Sequence, residues 1–352
     1  MTMSQIAQKR QLPPDTLLDV RKLKVEFHLR EGTVRAVNEI SFRVKRGKTL
    51  GIIGESGSGK SVTAQALMRL TPAPGLISQG QIWLSRGAAS GDIVDLAAIS
   101  ATGDVIRDIR WNDISMIFQE PMTSFSPVHS IEDQITEAML LHIEKINRAG
   151  ARQRAVELLT RVGISNAEEL VDAFPFQFSG GMRQRAMIAM ALTCNPQLLI
   201  ADEPTTALDV TIEAQILSLI KEIQAEYQMA VIFITHDIAV IGEVSDEVIV
   251  MYLGEIMEQG SVEQIFDNPL HPYTRALWRS IPTVDGALER LQPIEGALPG
   301  PFDDHAGCPF FSRCDLRIAG VCDKIPPPLV QVESGHDVRC ILYDEAGSHG
   351  AD

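Results

Sequence analysis

No stretch of this chain approaches the roughly 18 consecutive apolar residues that would cross a bilayer as a helix, so any role at a membrane is expected to come through partners. Basic residues are in deficit. Lys and Arg number 31 against 46 Asp and Glu, leaving a net charge of −15. That balance argues against non-specific binding to nucleic acid or to anionic lipid, while still allowing a basic phosphate pocket within one site. The N-terminus, Met1 to Asp15, is polar and lacks the apolar core of a targeting segment. The expectation is a cytoplasmic protein. No internal repeat is visible. Cysteine is scarce, at five residues with no C-x₂-C pair, yet four of the five fall between 308 and 340. In a cytoplasmic chain such crowding points to metal rather than to disulfides.

What is present suits a globular α/β protein. At 352 residues and 45% hydrophobic composition, there is room for one large domain with a filled core and a smaller second one. Residues 16–50 alternate apolar and polar side chains in short runs and read as antiparallel strands, followed by a buried strand at Thr49–Ile53. Lys60 to Leu70 reads as a helix. Residues 86–110 form an excursion of mixed polarity before the apolar run Ile114–Phe118. From 130 to 163 the apolar residues, among them Ile131, Ile135, Met139, Val156 and Leu159, fall at helical spacing and predict a small helical subdomain. Leu198–Asp202 and Ala230–Thr235 are continuous apolar runs of the kind found in buried parallel strands. Near 268 the composition turns proline-rich. The predicted organisation is a main domain over 16–267, with its helical subdomain at about 120–178, and a Pro- and Cys-rich C-terminal appendage over 268–345.

Gly54-Glu55-Ser56-Gly57-Ser58-Gly59-Lys60-Ser61 is a G-x-x-x-x-G-K-[ST] loop set between a predicted strand and a predicted helix. Its glycines let backbone N–H groups turn inward around phosphate oxygens, and the following helix N-terminus adds partial positive charge. Lys60 supplies a cation for the β- and γ-phosphates, the Ser61 hydroxyl suits Mg²⁺, and Val62 completes the contact stretch. Asp202 closes an apolar strand, where ligands bind in parallel sheets, and is assigned to Mg²⁺. Glu203 follows it and is placed to polarise an attacking water. His236 and Gln119 also sit at strand ends. The first could donate to a γ-phosphate, and the second could reach Mg²⁺ or the lytic water.

With these residues in place, the chain resembles the ATP-binding cassette (ABC) ATPases over roughly residues 16–345. The matching motifs, in order, are the phosphate loop, the Q-loop at Gln119, the signature Ser179-Gly180-Gly181-Met182-Arg183-Gln184 and the strand ending in Asp202-Glu203. The D-loop Ala207-Leu208-Asp209 and the switch His236 complete the set. The resemblance implies an ABC-type P-loop NTPase fold with an antiparallel β subdomain and a helical subdomain. It also implies cassettes paired head to tail, with ATP and Mg²⁺ sandwiched between them. Ser179, Gly180, Gly181 and Gln184 would then contact the nucleotide held by the partner, and Asp209 would lie at the subunit interface. Phe27, after the first strand, is the expected adenine-stacking residue.

A narrower resemblance is carried by Gln119-Glu120-Pro121-Met122-Thr123-Ser124, by Phe178 to Arg185, and by Asn268-Pro269-Leu270-His271-Pro272-Tyr273-Thr274. These are similar to the dipeptide/oligopeptide importer ATPases. That group implies two integral-membrane permeases, a second related ATPase and an extracytoplasmic solute-binding protein as partners, and no nucleic acid. It places the chain peripherally on the cytoplasmic face of the inner membrane, powering import of a peptide, a peptide-like compound or an oligosaccharide. The alternative is a soluble ABC ATPase acting on the ribosome or DNA. Cys308, Cys314, Cys322 and Cys340 are spaced C-x₅-C-x₇-C-x₁₇-C. Four thiolates suit a tetrahedral zinc or a [4Fe–4S] cluster, with His305 and His336 near enough in sequence to replace a thiolate at zinc. The absence of C-x₂-C pairs tilts the reading toward iron–sulfur, and the importer resemblance tilts it further; the remaining alternative is four reduced, partly buried thiols without metal.

Overall fold

The structure is a computed structural model and describes residues 12–87, 92–119, 124–206, 208–280, 294–300, 302–303 and 306–344. Two long strands, β1 (Thr16–His28) and β2 (Thr33–Lys45), open the chain and pair antiparallel. Their burial alternates along much of their length, as expected for strands with one covered face. They are followed by β3 (Thr49–Ile53) and helix α1 (Lys60–Leu67). Next come β4 (Gly75–Arg86), β5 (Asp92–Asp95), α2 (Asp104–Asn112) and β6 (Ile114–Ile117). The excursion of mixed polarity is thus a strand and a helix. Strand β5 owes its place to pairing with β4, which completes a four-stranded sheet in the order β2-β1-β4-β5.

The helical part contains α3 (Ile131–His142), α4 (Arg148–Arg161), the single turn α5 (Ala167–Leu170) and α6 (Gly180–Ala191). Helix α3 starts on a capping box in which the Ser130 hydroxyl accepts from the Asp133 N–H and the Asp133 carboxylate from the Ser130 N–H. The chain then builds β7 (Leu198–Asp202), α7 (Val210–Tyr227), β8 (Ala230–Ile234) and α8 (Ile238–Val244). It continues through β9 (Glu247–Tyr252), β10 (Glu255–Ser261), α9 (Val262–Asp267) and α10 (Pro272–Arg279). Strands β11 (Val330–Glu333) and β12 (His336–Val338) come last.

The second sheet has eight strands in the order β11-β12-β10-β9-β3-β8-β7-β6, parallel from β9 to β6. Every residue of β3, β7 and β8 is buried, because both faces of the sheet are covered. Leu50, Ile52, Ile200 and Ile232 point into the core under the antiparallel sheet. Ile53, Leu199, Val231 and Phe233 point into the core shared with the helices. The residues after 268 are tied to this sheet, since β12 pairs with β10 and Phe310 and Cys314 lie in the helix-side core. Buried Glu258 on β10 reinforces the join. Its carboxylate accepts from the Leu270 and His271 N–H groups at 2.7 and 2.9 Å and lies 2.8 Å from His336 Nε2. Among the described residues, no helix is long and apolar enough to cross a membrane.

Candidate nucleotide site

The phosphate loop runs from the end of β3 into α1, at the carboxyl edge of the parallel strands. Two of its glycines are sterically required. A Cβ at Gly54 would sit 2.1 Å from the Met251 carbonyl oxygen, and one at Gly59, where φ is 97°, would sit 2.4 Å from that of Ala36. Lys60 is buried at the centre of the loop. Its ammonium donates to the carbonyls of Gly54 and Glu55 at 2.7 and 3.0 Å and to Ser58 Oγ at 3.3 Å. Burial pulls its pKa below the ordinary lysine value, and the charges of Glu203, Asp202 and Glu55 oppose that shift.

Asp202 and Glu203 meet the loop from β7. The Ser61 hydroxyl donates to Asp202 Oδ1 at 3.1 Å, bringing together two of the three residues expected at Mg²⁺, while the third, Gln119, donates to Glu203. Hard oxygen donors with a single carboxylate fit that ion, which takes its other ligands from water and phosphate. Burial raises the Asp202 carboxyl to about 6, with the Ser61 hydrogen bond and Lys60 opposing the shift and neighbouring Glu203 adding to it. Glu203 takes the left-handed backbone conformation, φ 49°. Its carboxylate is bound on three sides. Gln119 Nε2 donates to Oε2 at 2.9 Å, Thr206 Oγ1 donates to Oε2 at 2.9 Å, and His236 Nδ1 lies 3.2 Å from Oε1. Burial pushes its carboxyl up, but the contacts from Thr206, His236 and Gln119 together bring it below the ordinary glutamate value.

The three residues expected to be catalytic therefore form one cluster. A cleft of about 530 Å³ connects it to the loop, lined among others by Ser56, Lys60, Ser61, Val62, Gln119 and Glu203. Phe27 is not among the residues that line this cleft. It packs on the antiparallel-side core, its ring so close to Gly75 that a Cβ there would come within 2.5 Å. The aromatic that lines the cleft among the described residues is Phe302, 46% exposed and facing Gly32.

The signature residues stand outside the cleft. Ser179 caps α6, accepting from the Met182 N–H at 3.3 Å, and both Ser179 and Gly180 are exposed. Gly181 faces Ile212, while Gln184 is only 1% exposed. Asp209, also exposed, caps α7 by accepting from the Ile212 N–H at 3.0 Å. Glu120–Thr123, Ala207 and His305 lie outside the described residues.

Cys308, Cys314, Cys322 and Cys340 line one small, largely apolar cavity. All are free thiols. Burial pushes Cys308 up to about 12 and Cys314 up to about 11, and raises Cys340 as well. His336 is engaged by Glu258. Among the described residues, no group of three or more His, Cys, Asp or Glu is arranged to hold a single metal ion.

Three residues of consequence escaped the sequence reading. Thr206, close behind Glu203, orients its carboxylate. Tyr273 and Arg313 hold Glu55 of the phosphate loop from far along the chain; Tyr273 falls in the Asn268–Thr274 motif, but nothing local to either residue signals the contact with Glu55.

The chain matches the ABC transporter family over residues 37–206 and the oligopeptide/dipeptide transporter C-terminal region over residues 257–322. It is 46% identical over 334 residues to the oligopeptide transport ATP-binding protein AppD of Bacillus subtilis strain 168, covering 95% of this chain and 98% of that one. It is 48% identical over 336 residues to a putative peptide import ATP-binding protein, BMEII0863, of Brucella melitensis, covering 94% and 98%. With the dipeptide transport ATP-binding protein DppD of Bacillus subtilis strain 168, identity is 45% over 336 residues, covering 95% and 97%. Among solved structures, the cassette MJ0796 bound to ADP and Pi superposes with a TM-score of 0.61 at 24% identity, over 70% of this chain and 99% of that one. The cassette cbiO1 of Clostridium perfringens gives 0.58 at 29% identity, over 72% and 92%.

Proposed function

Because the chain belongs to the ATP-binding subunits of ABC transporters, within the oligopeptide/dipeptide import group, we propose that it hydrolyses ATP to drive import of peptides or peptide-like solutes through a membrane permease. The observation that carries the chemistry is the Glu203 carboxylate, held by Gln119, Thr206 and His236 beside Lys60, Ser61 and Asp202. The loop N–H groups and Lys60 would hold the β- and γ-phosphates, and Ser61 and Asp202 would hold Mg²⁺, which when bound would supply positive charge against the phosphates. Glu203, kept ionised by its partners, orients water and accepts its proton. Gln119 and His236 fix the direction of that carboxylate.

Ser179, Gly180 and Asp209 are exposed and Gly181 is half-buried. All four stand off this chain's own cleft, as residues that close over a second cassette's nucleotide must. The reading is a pair of cassettes, the second a related ATPase, on two permeases at the cytoplasmic face of the inner membrane. An extracytoplasmic binding protein supplies the peptide. The relatives named above are all transport ATP-binding proteins, which leaves the ribosome- or DNA-acting alternative without support.

For the cysteine-bearing C-terminal segment the reading is an appendage holding an iron–sulfur cluster, with zinc as the alternative. Convergence of four thiols on one cavity, three of them buried and Cys308 half-buried, supports it, since a bound cationic centre relieves the cost of ionising a thiol away from water. A lone zinc ion would draw its thiolates to within about 4 Å of one another, a grouping that is missing among the described residues. Iron and acid-labile sulfide analysis of anaerobically purified protein decides between them. The transport reading is tested by gentle-detergent purification from native membranes with mass spectrometry. Permeases, a second ATPase and a peptide-loaded binding protein are expected, and recovery with ribosomes or DNA would overturn it.

A further inference from the structure

Glu55, second residue of the phosphate loop, is held from outside the loop at both its backbone and its side chain. Its N–H donates to the Tyr273 hydroxyl at 2.9 Å. Its carboxylate accepts a two-pronged contact from Arg313, with Nη1 to Oε2 at 2.6 Å and Nη2 to Oε1 at 3.0 Å. The Arg313 side chain is 4% exposed. Its plane is fixed by the Tyr252 ring, whose centre lies 5.8 Å away, and by donation to the Tyr252 hydroxyl and the Ile294 carbonyl, each at 3.3 Å. Phe310 wedges the two tyrosines, its ring centre 5.4 Å from that of Tyr252 and 5.3 Å from that of Tyr273.

This clamp bears directly on the site. The Glu55 carbonyl is one of the three acceptors that seat the Lys60 ammonium. A rotation of residue 55 therefore moves both a phosphate-facing stretch of backbone and the seat of the lysine. An arginine fork of this kind resists that rotation, because breaking it strands the buried guanidinium while Glu55 keeps partial access to solvent. Arg313 itself sits immediately before Cys314 and five residues after Cys308.

We propose that Arg313 is a positioning residue for the phosphate loop: through Glu55, the cysteine-bearing C-terminal segment sets the affinity of the nucleotide site. The inference rests on reading the loop as an ATP site.

The test is equilibrium titration of the purified full-length chain with MgATP, together with hydrolysis across ATP concentrations. Arg313→Met should raise Kd and KM about tenfold while kcat stays within about twofold, and the double variant Glu55→Gln with Arg313→Met should bind no more weakly than either single. Arg313→Lys keeps the charge without the fork and should weaken binding severalfold, which serves if the methionine variant does not fold. Arg279→Met is the control. It removes a contact of 3.5 Å to Asp315 in the same segment without touching Glu55, and should leave Kd unchanged. Wild-type protein that fails to bind ATP would sink the ATP reading itself. Wild-type binding with equal binding by both Arg313 variants would overturn only this inference. So would equal weakening by Arg279→Met, since the effect would then be general loosening of the segment.

Discussion

Glu203 occupies a backbone conformation, φ 49°, that side-chain-bearing residues adopt at a cost. Its N–H donates to the Ile234 carbonyl at 2.8 Å, and three side-chain contacts hold its carboxylate. The backbone bond ties the residue to the neighbouring strand, so the carboxylate is aimed by the sheet as well as by its side-chain partners. Glu203→Gln keeps the shape and removes the proton acceptor. It should retain ATP while hydrolysis falls by about 100-fold or more, read as single-turnover phosphate release. Gly59→Ala places a methyl against the Ala36 carbonyl in a left-handed position. A loss of about 2 kcal/mol in unfolding free energy is expected, together with loss of ATP binding, checked by denaturant melts and titration. At this scale the phosphate-loop residues and the strand-end carboxylates were legible because each does its work at a fixed offset along the chain. Tyr273 and Arg313 were not, because their roles exist only once distant segments meet, and Thr206 was not, because its contact with Glu203 three residues earlier depends on how the turn between them folds. The choice of aromatic in the cleft depends in the same way on where Phe302 is folded back, which no neighbour of Phe27 could signal.

Among elements, the buried strands were the most readable. Continuous apolar runs mark β3, β7 and β8 because both sheet faces are covered. Strand β5 was invisible at four residues, since its pairing with β4 rather than its own pattern makes it a strand. Helix caps give local predictions. Ser130→Ala removes one half of the α3 capping box and should cost about 1 kcal/mol, measurable in urea melts. The start of α10 carries a pH signature. His271 caps it through Nδ1, accepting from the Tyr273 N–H at 3.0 Å, and is buried. Burial drives its pKa down to about 3. The unfolded chain takes up that proton near the ordinary histidine value, about 6.5, while the folded chain refuses it. The contribution of His271 is therefore complete above about 6.5 and is lost progressively as pH falls toward 3. His271→Asn keeps a capping oxygen without the titration. Its melting temperature should fall less steeply than that of the wild type between about pH 6.5 and 4.5.

For the whole molecule, the surface features that matter lie on the helical part. Leu141 on α3 and Phe176 ahead of the signature are 73% and 68% exposed, and Leu141 lines a groove with Ser126, His129 and Leu140. Exposed apolar side chains of this size suit a partner contact, and the permease is the partner proposed. Leu141→Asp should leave ATP binding by the isolated subunit unchanged while lowering peptide uptake and permease-stimulated hydrolysis in reconstituted vesicles by about tenfold. The composition shift near 268 marks proline-punctuated chain, but composition could not reveal that β12 extends the main sheet through β10. That join is made by backbone pairing and by the buried Glu258, neither of which leaves a trace in residue frequencies.

The parallel sheet also sets an order in time. Strand β3 carries the phosphate loop, yet its neighbours β8 and β9 begin at Ala230 and Glu247, and the Arg313 grip on Glu55 spans 258 residues. At a synthesis rate of about 5–20 residues per second, that span is roughly 13–50 s of translation. During this interval the ribosome has released a loop whose flanking strands and outer clamp do not yet exist. ATP, as a ligand that stabilises only what it can bind, has little to offer the growing chain until its synthesis is nearly complete.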